Sequence, residues 1–137
     1  MNCPHCNTPM LVLELEKVET DFCTNCKGIW LDKGELELFL EDSKDKDELI
    51  NSFTSADGIR EKKIKCPICN SKMEKIFVGK DHDVVLDECK YGHGLWFDKG
   101  EILEVIKLGS VNKENRIIQL FQDMYKNEIN INITEGK

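Results

Sequence analysis

Two blocks of this sequence occur twice, and that duplication limits the fold more than any other feature. Cys3-Pro4-His5-Cys6-Asn7-Thr8-Pro9-Met10 returns as Cys66-Pro67-Ile68-Cys69-Asn70-Ser71-Lys72-Met73, an offset of 63 positions. Gly28-Ile29-Trp30-Leu31-Asp32-Lys33-Gly34-Glu35 returns as Gly94-Leu95-Trp96-Phe97-Asp98-Lys99-Gly100-Glu101, an offset of 66. A chain of 137 residues written this way is two copies of one small unit. A unit of roughly 40 residues buries too little apolar surface to be stable unaided. The three extra residues of the second copy fall between its two blocks, where a hairpin loop absorbs an insertion.

The missing stability is supplied by the residues that recur. All seven cysteines stand in or beside these blocks. The first copy offers Cys3, Cys6, Cys23 and Cys26, two Cys-x-x-Cys pairs with 16 residues between them. The second offers Cys66 and Cys69, then, after 19 residues, Cys89 and His93. An odd cysteine count fits poorly with a closed disulfide framework and well with metal binding. Four sulfur or nitrogen ligands in two close pairs suit tetrahedral zinc and leave no position for water. Zinc contributes about 10–16 kcal/mol to the folding of such peptides. We therefore expect two zinc ions per chain. His93 completes the second set; Asp87, Glu88 or water are the alternatives for its fourth position. Asn7 and Asn70 follow the first turns, where a left-handed backbone is needed and asparagine tolerates it. His5 and His82 read as surface residues. Cys3-Pro4-His5-Cys6 also matches a dithiol redox tetrapeptide, but that chemistry needs a cysteine opening a helix after a buried strand. Only Met1 and Asn2 precede it here.

Local signals give the elements. Leu11, Leu13 and Leu15 alternate as in a strand. Ile76 and Val78, then Val84 and Leu86, flank Gly79 to Asp83 as in a hairpin. Asp32 with Glu35, and Asp98 with Glu101, have capping-box spacing, with Leu31/Leu36 and Phe97/Ile102 placed as hydrophobic staples. The second of these helices should stop near Gly109. Leu49, Ile50 and Phe53 imply a short helix in the charged linker. Ile117, Leu120, Phe121, Met124 and Tyr125 form an amphipathic stripe. Ile129 to Ile133 alternate apolar and polar. Trp30 and Trp96 read as packing residues that cover each metal site against the following helix.

Charge narrows the function. The chain carries 26 acidic and 19 basic residues, net −7, and its arginines are Arg60 and Arg116. A phosphate-backbone binder is usually basic, and arginine is the main reader of guanine edges. No apolar run is long enough to span a bilayer, and none near the start resembles a secretory leader. Reduced, metal-binding cysteines then point to the cytoplasm.

Each copy resembles the small zinc ribbon known as the transcription factor IIB-type zinc finger of bacteria and archaea. Cys23-Thr24-Asn25-Cys26-Lys27-Gly28-Ile29-Trp30-Leu31-Asp32-Lys33-Gly34-Glu35-Leu36 follows its pattern. The second copy departs at Cys89-Lys90-Tyr91-Gly92-His93 and at Ile102. The resemblance covers roughly residues 2–42 and 65–108 and implies a three-stranded ribbon and zinc. The expected architecture is a small metal-stabilised α+β chain, two tandem zinc ribbons with a C-terminal amphipathic helix. Its expected units are ribbon 1 with its helix (1–43), a charged helical linker (44–64), ribbon 2 with its helix (65–109), the amphipathic helix (110–128) and a tail (129–137). No nucleophile–base pair or phosphate loop is visible. The expected function is therefore a non-enzymatic zinc-binding module, a protein-interaction or regulatory adaptor. A transcription-associated nucleic-acid binder and an iron–thiolate redox protein are the alternatives. The partner is another protein, with a homo-oligomer through the 111–125 helix as a further option. Ligand chemistry alone makes the second zinc the first to leave, with residues 2–42 remaining ordered.

Overall fold

The computed structural model describes residues 1–41, 43–56, 58–59, 62–109 and 118–125. Ribbon 1 contains β1 (Leu11–Leu15), β2 (Val18–Phe22) and β3 (Ile29–Asp32), then α1 (Glu35–Phe39). The linker forms α2 (Lys46–Asn51) and a two-residue strand, β4 (Thr54–Ser55). Ribbon 2 repeats the plan with β5 (Glu74–Val78), β6 (Val84–Glu88), β7 (Gly94–Phe97) and α3 (Glu101–Leu108). Residues 118–125 are helical. The expectations for residues 110–117, 126–128 and the tail lie outside the described residues.

The hairpins explain the change of offset. β1 and β2 are joined by Glu16 and Lys17 alone, at φ 49° and 69°. Two successive left-handed residues make the turn whose twist suits a two-residue hairpin. β5 and β6 are instead joined by Gly79 to Asp83, so the loop itself holds the three extra residues. The sequence pattern shows the second hairpin plainly. In the first, the alternation of Leu11, Leu13 and Leu15 marks β1 alone, and β2 returns beside it without a comparable signal.

Among the described residues seven strands form one sheet, in the order β1-β2-β3-β7-β6-β5-β4. The ribbons meet where β3 and β7 pair antiparallel, Ile29 opposite Phe97, Trp30 opposite Trp96 and Leu31 opposite Leu95. Trp30 and Trp96 are the same residue in the two copies, so a local two-fold axis passes between them. The duplication has built inside one chain what two identical subunits build across an isologous interface.

Alternation along β3 and β7 sends successive side chains to opposite faces. Ile29, Leu31 and Phe97 point to one face and join Leu36, Phe39 and Leu40 of the first ribbon's helical end with Ile102, Val105 and Ile106 of α3 in a single core. Ile118, Phe121 and Tyr125 belong to the same core, and the Phe121 ring meets the Phe39 ring edge-on at 5.5 Å. The described part of the amphipathic stripe, Leu120, Phe121, Met124 and Tyr125, is thus turned inward, and Leu36, Phe39 and Leu40 find their cover within the chain. Leu38 remains 53% exposed.

Trp30 and Trp96 point to the other face. Each is fully buried, in a cluster with Cys3, Cys23, Cys66, Cys89, Met10, Met73 and Ile64. They pack among the cysteines, on the sheet face away from the helices. The expectation that they wedge between metal site and helix is therefore corrected: in β-structure Trp30 and its neighbour Leu31 cannot share a face.

The helix starts need a similar correction. The backbone N–H of Asp32 donates to Glu35 Oε1 at 2.6 Å, and that of Asp98 to Glu101 Oε1 at 2.7 Å. That is the returning half of the capping box. The aspartate side chains do not cap, because left-handed Gly34 (φ 91°) and Gly100 (φ 83°) stand at the N-cap positions. Asp32 instead accepts the indole N–H of Trp30 at 2.8 Å, and Asp98 that of Trp96 at 3.0 Å.

Candidate metal centres

Each centre is assembled from two tight turns. In ribbon 1 the Asn7 N–H donates to the Cys3 carbonyl at 2.8 Å, and the Lys27 N–H to that of Cys23 at 2.9 Å. Asn7 (φ 57°) and Lys27 (φ 67°) take the left-handed backbone that closes such turns. In ribbon 2 the Asn70 N–H donates to the Cys66 carbonyl at 2.8 Å, with Asn70 at φ 62°. The fourth turn is one residue longer, and the Gly92 N–H donates to the Cys89 carbonyl at 3.0 Å, with Gly92 at φ 81°. That extra residue brings His93, rather than the residue at the usual spacing, up to the cysteines.

The turns converge in pairs. The ligand atoms of Cys3, Cys6, Cys23 and Cys26 all lie within 4.8 Å of one another, as do those of Cys66, Cys69, Cys89 and His93. The Cys3 and Cys26 sulfurs are 3.6 Å apart, those of Cys69 and Cys89 3.7 Å, and Cys89 Sγ lies 3.3 Å from His93 Nδ1. Zn–S bonds of ~2.3 Å at tetrahedral angles require sulfurs about 3.8 Å apart. A disulfide would need ~2.05 Å, and all seven cysteines are free thiols. The donor set therefore fits zinc.

Electrostatics lead to the same conclusion. Burial pushes the Cys3 and Cys66 thiols up to about 11 and raises that of Cys26. Burial also opposes ionisation of Cys23, yet the amides of Cys26 and Asn25 and the neighbouring thiols pull it down to about 6. The Ser71 amide leads in lowering Cys69 to about 6. Without a cation, each site favours the thiolate at one cysteine and opposes it at another, Cys23 against Cys3 and Cys26 in the first and Cys69 against Cys66 in the second. A divalent cation removes that conflict, since it stabilises every thiolate at once. Further donors await the charge: the Cys6 N–H reaches Cys3 Sγ at 3.3 Å, and Asn25 Nδ2 reaches Cys6 Sγ at 3.2 Å.

The Gly-x-Trp element of each block acquires a reason here. A Cβ on Gly28 would sit 2.2 Å from the Trp96 ring, and one on Gly94 would meet the Leu31 carbonyl at 2.2 Å and the Trp30 ring at 2.7 Å. Each glycine makes room for the tryptophan of the other ribbon.

His5 stays outside the tetrads, as the sequence reading expects, but it has a partner. Its Nε2 lies 3.0 Å from Asp98 Oδ1, and its ring centroid 5.9 Å from that of Trp96. Asp98 thus joins the first turn of ribbon 1 to the tryptophan of ribbon 2. His82 stacks on Phe77 with centroids 4.1 Å apart. Sequence reasoning also missed a buried ion pair, Lys75 Nζ to Asp87 Oδ1 at 2.7 Å. The two residues are directly opposite in the β5–β6 register, and Asp87 also faces Trp96 across β7. Burial raises the Asp87 carboxyl, and the Lys75 ammonium opposes that rise. Only the hairpin register, once fixed, would have revealed the pair.

A family model described as "Transcription factor zinc-finger", the zinc ribbon of transcription factor IIB type, matches residues 2–42 and 65–108. The chain belongs to this zinc-ribbon family. No curated protein and no solved structure matches it. The two matched segments coincide with the two ribbons, and each contains one tetrad. Among the described residues no helix is long and apolar enough to cross a membrane.

Proposed function

We propose that this zinc-ribbon chain is a non-enzymatic, cytoplasmic protein-interaction or regulatory adaptor whose two zinc ions are structural. Cys3, Cys6, Cys23 and Cys26 hold one ion, and Cys66, Cys69, Cys89 and His93 the other. Four protein ligands fill a tetrahedral zinc, so neither ion keeps a position at which to activate water. Of the sequence units 1–43, 44–64, 65–109, 110–128 and 129–137, the two ribbons, 1–43 and 65–109, act together, since both contribute strands to one sheet.

The observation that carries the adaptor reading is the tip of ribbon 2. Ile68 and Tyr91, one from each turn of the second centre, are 46% and 63% exposed. His5 and Asn25 stand at the matching places of ribbon 1. An aliphatic and an aromatic group held rigidly on metal-tied turns suit a protein contact, in which aromatic anchors carry much of the energy. The test is a pull-down with zinc-loaded protein against a bait carrying Ile68→Glu and Tyr91→Ala. A partner captured by the first and lost by the second, but kept by Leu38→Glu, supports the reading. Equal capture by both overturns it.

One observation favours the nucleic-acid alternative. Lys62, Lys63 and Lys65 line a groove of about 710 Å³ between the Cys3 and Cys66 turns. Phosphate binding there would weaken steeply with salt. A salt-sensitive complex lost on replacing the three lysines by glutamine would promote that reading over the adaptor.

A further inference from the structure

Among the described residues the sheet is covered at one edge and open at the other. β4 lies along the outer edge of β5, Thr54 opposite Phe77 and Ser55 opposite Ile76, and the Ala56 N–H donates to the Lys75 carbonyl at 3.0 Å. At the far edge, β1 pairs with β2 and, among the described residues, has no strand on its outer side. Leu11 and Val12 there are 53% and 65% exposed. An open edge bearing apolar side chains is a template for a further strand.

The course of the chain indicates which strand. After ribbon 1, the chain passes through α1 to α2 and β4, and these cross to ribbon 2. Glu48 pairs with Lys80 at 2.5 Å, and Ser52 Oγ accepts the Gly79 N–H at 2.9 Å. After ribbon 2, the chain passes through α3 to the helix at 118–125, which packs back on ribbon 1. Phe121 meets Phe39 there, and the Tyr125 hydroxyl donates to the Lys27 carbonyl at 3.4 Å. The exchange is reciprocal, as the two-fold between Trp30 and Trp96 requires. Among the described residues β4 has no counterpart beside β1. The next stretch of sequence, Ile129-Asn130-Ile131-Asn132-Ile133, alternates like a strand with one apolar face.

We propose that the outer edge of β1 is the docking site for the chain's own residues 129–133, which add to the sheet as an eighth strand. By the 63-residue offset, Leu13 and Glu14 are the counterparts of Ile76 and Phe77, against which β4 lies. The reach suffices. Lys27 lies two residues before the start of β3, and an eighth strand lies three strand spacings from β3, roughly 14 Å. Four residues of extended chain span about 13–14 Å. Isoleucines on the core face would cover Leu11 and extend the row of Leu13 and Leu15. The asparagines would take the opposite face, beside Glu14.

Amide hydrogen exchange and nuclear Overhauser contacts on the full-length, zinc-loaded protein test this. The β1 amides that point away from β2 should exchange about tenfold or more slowly in the unmodified chain than in Ile131→Pro, which cannot complete the ladder. The protection should not depend on protein concentration, and amides of β6 and β7 should be unchanged. Backbone contacts between residues 11–15 and 129–133 should be seen directly, a measurement that needs no variant. Equal, fast exchange of the outward β1 amides in both proteins overturns the proposal. So does the absence of those backbone contacts. Protection that grows with concentration and survives Ile131→Pro also overturns it, and assigns the edge to a second copy.

Discussion

Gly28 and Gly94 lie where the two copies meet most closely, and neither is needed for a left-handed backbone. A methyl group at either would displace a buried indole, and at Gly94 a backbone carbonyl too. Overpacking of this kind costs about 1–3 kcal/mol. Gly28→Ala and Gly94→Ala should each lower the thermal midpoint of the zinc-loaded protein, Gly94→Ala the more because backbone yields less than a side chain. Unchanged midpoints would show that the tryptophans are not seated on the opposite ribbon. Histidine replacement separates ligand from neighbour. His93→Ala should speed zinc loss to a metal dye, while His5→Ala and His82→Ala should leave both ions in place. If His93→Ala releases zinc no faster than the parent, the fourth ligand lies elsewhere. The members of both tetrads were legible in the sequence because paired ligands two or three residues apart are fixed by one turn. The roles of Gly28, His5 and Asp98 were not, because each has its partner in the other ribbon.

At the scale of elements, the start of α3 carries an electrostatic cost. Glu101 receives the Asp98 N–H, yet its carboxyl is pushed up to about 7. Burial is the main cause; the Asp98 amide opposes it, and the charges of Asp98, Asp87 and Glu104 add to it. A carboxyl raised in the folded state binds its proton more tightly there than in the unfolded chain. The stability this gives is fully present below the usual carboxylate value of ~4.5 and is lost as pH rises toward 7. Glu101→Gln keeps an acceptor for the Asp98 amide without the charge. It should raise the midpoint at pH 8 relative to the parent and change it little near pH 5. A variant less stable than the parent at pH 8 would mean that the carboxylate's attraction to the helix N-terminus outweighs its burial. The second hairpin, α2 and the end of α3 at Gly109 follow local pattern and were readable. β4 was not, because Thr54 and Ser55 have no strand signature and are extended only where β5 offers them an edge. The aspartates misled for a related reason: the capping-box spacing is genuine, but an indole two residues earlier competes for the same carboxylate and left-handed glycines occupy the caps.

At the scale of the whole molecule, the duplication makes the two metal centres parts of one object. Read as separate ribbons, they would lose zinc independently, the histidine site first. The structure joins them through the β3–β7 ladder, a shared core on one face and a shared cluster of tryptophans and cysteines on the other. Freeing Cys66 and Cys89 from metal loosens the packing around Trp96. That ring rests on Gly28, two residues beyond Cys26, and its indole N–H is bonded to Asp98, which also holds His5 between Cys3 and Cys6. Zinc at one centre should therefore favour the arrangement that binds zinc at the other, and the coupling must act equally in both directions. Coupling free energies between sites are commonly 1–3 kcal/mol, or about 5- to 150-fold in affinity. His93→Ala should accordingly speed chelator removal of the ion at Cys3, Cys6, Cys23 and Cys26 by roughly fivefold or more, although that site is chemically untouched. The loaded parent should unfold in a single transition, with β1–β3 and β5–β7 losing amide protection together. Two separate transitions, or an unchanged release rate at the four-cysteine site, would mean that the ribbons share a sheet without sharing stability.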